Sequence, residues 1–229
     1  MQTTQLAETL PKNTLEAGIE AGFFRIDAGV RYGVVKNLDA GVYYCFNLLQ
    51  FTEIPQLSFD MKYQLTKDPE AHFVFATGAG YGIGTDWLRN YIKAENEDNS
   101  NLGLKQNFAE ATNDFYLPLY FTYYGDDYDN GFYINPFCLY RAYEDHYYDG
   151  IAQEFKSEAI QDFLPGLSAG TFRVNNKWLL SINYTFLYYY ANNIAYASNE
   201  GTKFTDERAP QHEVKLGLSY LINLNKKEE

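Results

Sequence analysis

Long apolar runs are missing from this chain of 229 residues. The longest stretch drawn from Ala, Val, Ile, Leu, Met, Phe, Trp, Tyr and Cys covers six residues, Phe186 to Ala191. A helix that crosses a bilayer needs about 18 or more in sequence, so a helical membrane protein is excluded. Cysteine is scarce as well. Cys45 and Cys138 fall on separate predicted strands, form no metal or redox pattern and are expected as free thiols. Basic residues are outnumbered, 18 Lys+Arg against 30 Asp+Glu for a net charge of −12. That balance argues against a nucleic-acid partner, which requires a basic patch. The start, MQTTQLAETLPKN, lacks a basic segment followed by an apolar core. Either the protein is cytosolic or this is a mature chain without its signal peptide, given a new start Met. No Gly-Xaa-Ser-Xaa-Gly elbow or HExxH helix occurs.

What the chain does have is alternation. Helical periodicity is nearly absent, whereas apolar and polar residues exchange places every second position from end to end. Ten strands are predicted, at about 14–24, 26–35, 39–48, 56–66, 71–83, 114–125, 131–143, 159–174, 177–191 and 210–223. Four separators are short and turn-like: 36–38, 66–70, 125–131 and 175–176. Asn, Asp and Pro in them suit tight reversals. After a tight first link near Phe24–Arg25, the others are long: about 49–55, 84–113, 144–158 and 192–209, with 144–158 also able to extend its strands. Regular alternation of short and long links is the mark of an up-and-down barrel with one end trimmed. Pro118, Pro136 and Pro165 fall inside predicted strands and are expected at bulges or strand ends.

Alternation alone does not say which face is wet. A soluble barrel of the lipocalin kind is apolar inside and polar outside. Three features favour the reverse. The apolar sets run five to seven residues per strand, as in Trp178, Leu180, Ile182, Tyr184, Phe186, Tyr188 and Tyr190. This approaches the 9–11-residue strand that spans a bilayer. The opposite sets are rich in Gly and small polar residues, with charges of both signs. Aromatics make up 18% of the chain and concentrate at strand ends, where rings sit at headgroup level. The predicted fold is therefore an all-β, ten-stranded, transmembrane antiparallel barrel. Residues 1–13 form a periplasmic lead, 14–223 the barrel and 224–229 a polar tail. Trp87, Trp178, Tyr188 and Tyr190 are the candidate aromatic girdle.

The last strand carries KLGLSYLI. Its Lys215, Gly217, Tyr220 and Ile222 resemble the C-terminal β-signal of bacterial outer-membrane proteins: a polar residue, Gly two places on, then two hydrophobics spaced by two. The chain departs from the pattern in the tail NLNKKEE, where the class usually ends on an aromatic. The resemblance implies an outer-membrane location, bilayer lipids as surroundings and the barrel-assembly machinery as a partner during biogenesis. The lead also resembles that of small barrels in which it follows a lipidated Cys, a residue absent at this start.

Inward candidates for a polar network are Glu16, Glu20, Arg31, Asp60, Lys62, Arg141, Asn183, Glu213 and Lys215. Ten strands enclose a lumen little wider than the eight-strand case, which side chains fill, so pairing is favoured over an open pore. A conducting lumen would prefer cations mildly, given the acidic balance. The segments 84–113 and 192–209 are the expected surfaces for an extracellular ligand or protein. Glu144, Asp145 and His146 supply half of an omptin-like protease constellation. Glu53 is the one carboxylate facing them, and the required Asp pair is missing. Ser168 sits within a predicted strand, which disfavours lipid acyl transfer. Asp126, Asp127 and Asp129 read as a structural turn rather than a Ca²⁺ site. No cofactor and no enzymatic activity are expected, and the role foreseen is a narrow passive channel or a structural and binding barrel.

Overall fold

The computed structural model describes residues 6–23, 25–47, 56–68, 70–84, 108–149, 154–198 and 201–224. Ten antiparallel strands form a closed barrel in which each strand pairs with its sequence neighbours and β10 closes on β1. They are β1 (Thr14–Gly22), β2 (Arg25–Val35), β3 (Leu38–Asn47), β4 (Gln56–Gln64), β5 (Phe73–Gly84), β6 (Phe108–Tyr124), β7 (Asn130–Asp149), β8 (Glu154–Asn175), β9 (Trp178–Ser198) and β10 (Gly201–Asn223).

The pleat turns the sequence alternation into two surfaces. In β4, Phe59, Met61 and Tyr63 are exposed while Ser58, Asp60 and Lys62 are buried. In β10, Leu216 is 63% exposed and its neighbour Lys215 is 1% exposed. Exposed apolar side chains continue around the barrel, through Ile19, Val30, Val42, Phe75, Leu117, Ile134, Leu167 and Ile182. Charged residues point in and greasy residues point out. In water that arrangement sacrifices the main favourable term of folding, whereas in lipid it is the stable one. A concrete consequence concerns Leu216. Leu216→Arg should destabilise the folded barrel by about 2–4 kcal/mol in vesicles, the cost of a cation at a lipid-facing site. Urea unfolding of barrel in lipid vesicles measures it. A change within about 0.5 kcal/mol, usual for a surface site in water, would contradict lipid exposure.

The short links behave as turns for identifiable reasons. Asn37 (φ 64°) and Asn176 (φ 58°) occupy the left-handed region that Asn tolerates. Between β6 and β7 that position falls to Tyr128 (φ 56°), not to an Asp or Asn. Its ring stacks on His72 at 4.9 Å, and its hydroxyl donates to the Glu70 carbonyl at 2.6 Å. These contacts offset the roughly 1–2 kcal/mol cost of that backbone.

Two expectations are corrected. The three prolines make no bulges. Pro136 and Pro165 lie in an unbroken β7–β8 register opposite Leu167 and Cys138. Around Pro118 the β5–β6 pairing resumes from Thr77↔Leu119 to Gly80↔Tyr116 without a shift. Each proline can be accommodated because a lost donor weakens a ladder locally without moving its register. The second correction concerns the link at 192–209, whereas 144–158 extends its strands as the sequence allowed. Residues 144–149 and 154–158 belong to β7 and β8, and 192–198 and 201–209 belong to β9 and β10. Strands β1–β5 have 9–12 residues, whereas β6–β10 have 17–23. Among the described residues β8 and β9 pair no further than Gly166↔Leu187. Beyond that level β9–β10 continues as one ribbon and β7–β8 as another, with β6 beside β7 as far as Phe108↔His146. Backbone pairing satisfies main-chain polar groups that a loop of that length would leave to solvent. Residues 85–107 of the long segment 84–113 lie outside the described residues.

Candidate functional site in the barrel lumen

Three charged clusters cross the lumen. The first joins β2, β3 and β4. The Arg31 guanidinium donates one nitrogen to Asp39 and another to Asp60, and Lys62 Nζ lies 3.4 Å from Asp39. Register creates this cluster. Arg31 and Asp60 both stand opposite Gly41, and Asp39 stands opposite Lys62. The side chain missing at Gly41 is replaced by the Tyr43 ring, over which the Arg31 guanidinium sits at 5.5 Å.

The second cluster spans the β10–β1–β2 seam. Lys215 Nζ donates to Asp27 at 2.6 Å and lies 3.3 Å from Glu213, while Arg25 Nε donates to Asp27 at 2.7 Å. Glu20, fully buried, stands opposite Asp27 in the β1–β2 register. In the third, Arg141 holds Asp114 by two bonds of 2.8 Å, and Gln56 Nε2 donates to the same carboxylate at 2.7 Å. In these pairings cations and carboxylates match. Burying a charge costs several kcal/mol unless it is paired and hydrogen-bonded, which explains why both signs arrive together.

The other half of the lumen, on β5–β8, is aromatic: Tyr116, Tyr120, Tyr124, Tyr133, Phe137 and Phe172 are buried there. Their rings lie flat on glycines of neighbouring strands. A β-carbon at Gly80 would sit 2.0 Å from the Tyr116 ring, and one at Gly166 2.2 Å from Phe137. Gly29 stands in the same relation to Tyr43, at 2.2 Å. Several glycines of the inner face are thus paired with rings, whereas Gly33 meets the lead's backbone and Gly82 the Gln56 side chain.

The short-turn mouth is filled by the lead. Residues Leu6 to Asn13 turn into the barrel, with Ala7 fully buried in an apolar cluster that also holds Val74, Ala76, Tyr120, Tyr124, Tyr133, Phe172 and Leu179. Lys62 Nζ donates to the carbonyls of Leu6 (2.7 Å) and Glu8 (2.6 Å). Thr122 accepts from Ala7 N–H (2.8 Å), Gln64 from Thr9 N–H (2.9 Å) and Asp39 from Leu10 N–H (3.1 Å). Tyr124 donates its hydroxyl to Glu8 Oε2 at 2.9 Å. A cavity of about 310 Å³ remains between the lead and the wall.

The candidates from sequence are distributed as follows. Glu20, Arg31, Asp60, Lys62, Asn183 and Lys215 are buried in the lumen. Glu16 lines the mouth cavity, Arg141 pairs with Asp114, and Glu213 pairs with Lys215. Asn183 Oδ1 accepts from Thr185 Oγ1 at 3.4 Å. Within KLGLSYLI, Lys215 and Gly217 point inward, and the outward Tyr220 ring packs on Trp178 at 4.6 Å. Ile222 stands opposite Leu15 of β1. Trp178 is exposed at the short-turn end and Tyr188 is half-buried. Tyr190 stands opposite Arg208, eight residues before the end of β9 at Ser198, so the strand outruns the proposed girdle. Trp87 and Glu53 lie outside the described residues.

Sequence reasoning missed Arg25, Asp27, Asp39, Gln56 and Asp114, although the parity shared by Asp27 and Arg31 was a usable signal. It also missed the tyrosines of the inner face, because an aromatic in an alternating strand reads as lipid-facing. Glu144, Asp145 and His146 stand in β7 opposite Glu110, Ala109 and Phe108 of β6. Ser168 is buried in the lumen and its hydroxyl accepts from Thr185 Oγ1 at 3.4 Å, a packing role.

A closed, ten-stranded antiparallel barrel with an apolar outside and an ion-paired inside defines a transmembrane β-barrel. Along 93% of its length the chain is similar to the N-terminal β-barrel domain of Pseudomonas aeruginosa OprF, with 10% identity over 100% of that chain and a TM-score of 0.35. It is similar over 90% to the NanC porin (10% identity, 98% of that chain, TM-score 0.38). It is also similar over 93% to a de novo designed transmembrane β-barrel (13% identity, 98% of that chain, TM-score 0.33). No protein-family model and no curated protein matches the chain.

Proposed function

We propose that the chain is a bacterial outer-membrane barrel whose lumen is closed, and that it serves as an anchor displaying two β-ribbons outside the cell. The observation that carries this reading is the filled cross-section. The Arg31–Asp39–Asp60–Lys62 cluster meets Tyr43 on one side and Tyr116 on the other, where the Tyr116 hydroxyl reaches Asp60 at 3.4 Å. The lead closes the mouth beneath it. Water and ions have to break buried ion pairs to pass, which disfavours the narrow-channel reading. In this orientation the short turns and the lead face the periplasm, and the β7–β8 and β9–β10 ribbons face the exterior. Capture of an extracellular ligand or protein is assigned to these ribbons. No enzymatic chemistry is assigned to the chain.

Planar-bilayer recording tests the proposal. Folded full-length protein should give no conductance steps over baseline at about ±100 mV. Discrete, reproducible steps, with the cation preference expected of an acidic chain, would establish the channel instead.

A further inference from the structure

We propose that the short-turn mouth of the barrel is a built binding site for a short peptide segment bent at its second and third residues, held in this structure by the chain's own residues 6–11 and able to take a second segment in their place. The inference goes beyond the closed-barrel reading. It relies on that reading only for the periplasmic orientation of the mouth.

The site recognises main chain. Five backbone groups of the lead are bonded by wall side chains: the carbonyls of Leu6 and Glu8 by Lys62, and the N–H groups of Ala7, Thr9 and Leu10 by Thr122, Gln64 and Asp39. Because these bonds go to main-chain groups, they are available to any peptide that adopts the same bent backbone. Gly33 completes the cradle. The carbonyl of Pro11 would lie 2.1 Å from a β-carbon at that position, so only glycine admits the peptide backbone there. Side-chain selectivity is confined to two places. The fully buried Ala7 position, within the apolar cluster of Tyr120, Tyr124, Tyr133 and Phe172, takes a small residue, and Tyr124 takes an acidic one after it.

The lead under-fills this site. Leu6, Thr9, Leu10 and Pro11 share the partly open 310 Å³ cavity with the apolar side chains of Val174, Leu179 and Leu221 and with the charged Glu16, Arg31 and Lys62, which leaves room for a larger side chain beside Leu10. The ligand class that follows is a segment of another periplasmic chain with the same bend: a small residue, an acidic residue, then a bulkier apolar side chain near the position of Leu10.

Displacement in the full-length chain is the test. Ala7→Cys, in a background with Cys45 and Cys138 replaced by alanine, places one thiol in the buried pocket. Docked lead should protect it from a membrane-impermeant maleimide by at least tenfold relative to the unfolded chain. Added Leu-Ala-Glu-Thr-Leu-Pro peptide should raise the labelling rate saturably, by tenfold or more. A version with Trp in place of the second Leu should act at lower concentration, and a version with the Ala, Thr and second Leu amides N-methylated should not act. Gly33→Val and Lys62→Met should each raise the basal rate without peptide, with folding checked by the mobility shift of unheated barrel on gels. Labelling that stays slow at every peptide concentration would overturn the proposal, because the lead would then be a fixed part of the wall. Fast labelling without peptide in the parent would overturn it too, and the bilayer recording is unaffected by either result.

Discussion

Replacing Arg31 by leucine should cost the barrel about 3–5 kcal/mol, the range for removing one partner of a buried ion pair. Arg31 bridges two carboxylates that are buried, Asp39 and Asp60. Without it Lys62 is left to serve both, while its Nζ is already committed to Asp39 and to two carbonyls of the lead. The loss amounts to a large part of the 5–15 kcal/mol that typically holds a domain together. Arg31→Lys should recover only part of it, because a single ammonium does not present the planar fork that spans two acceptors. Adding Asp39→Asn and Asp60→Asn to Arg31→Leu should restore most of the loss, since no uncompensated carboxylate then remains. Urea unfolding of protein in lipid vesicles reads all three variants. A loss below about 1 kcal/mol for Arg31→Leu, the worth of an exposed pair, would mean that water reaches this cluster and that the lumen is not closed there.

Gly80→Val should be nearly as damaging, by about 3 kcal/mol, and for a steric reason alone. The added carbon meets the Tyr116 ring at 2.0 Å, with the ring hydroxyl at 2.3 Å and a further ring carbon at 2.5 Å. Overpacking of this kind typically costs about 1–3 kcal/mol and more when the neighbour has nowhere to go. Tyr116 has little freedom, being buried beside Phe137, Leu139 and Leu164. Shortening the ring creates room, so Tyr116→Ala should suppress Gly80→Val. The double variant should be more stable than the sum of the two single losses by at least about 2 kcal/mol, a coupling expected only of side chains in contact. Additive losses would place the ring elsewhere.

These two predictions sit on opposite sides of what was readable. Arg31, Asp60, Lys62 and Lys215 were legible as inward because parity in a strand is a local property: once Leu57, Phe59, Met61 and Tyr63 form one face, Asp60 and Lys62 form the other. The same parity gave Glu20 and Asn183, and the alternation of short and long links gave ten strands and a barrel. Tyr116 shares that inward parity, opposite Phe115, Leu117 and Leu119, but what its ring meets inside was not legible. Its place inside depends on Gly80 of another strand, and so on register between segments 36 residues apart in sequence.

The ribbons and the lead show the same division. Polar, aromatic-rich stretches such as 144–149 and 192–198 have no clean alternation, and they become strands because a partner hairpin arm lies beside them. The lead is polar and short, and nothing in its residues announces that Lys62, Gln64, Asp39 and Thr122 converge on its backbone.

By itself, then, the sequence determined the strand count, the two faces of each strand and the solvent that each face meets, since periodicity and hydrophobicity act residue by residue. Tertiary structure alone decided which carboxylate meets which cation, which ring covers which glycine and what stops the mouth. Those are pairings across the lumen, set by closure and register, and no local pattern encodes them.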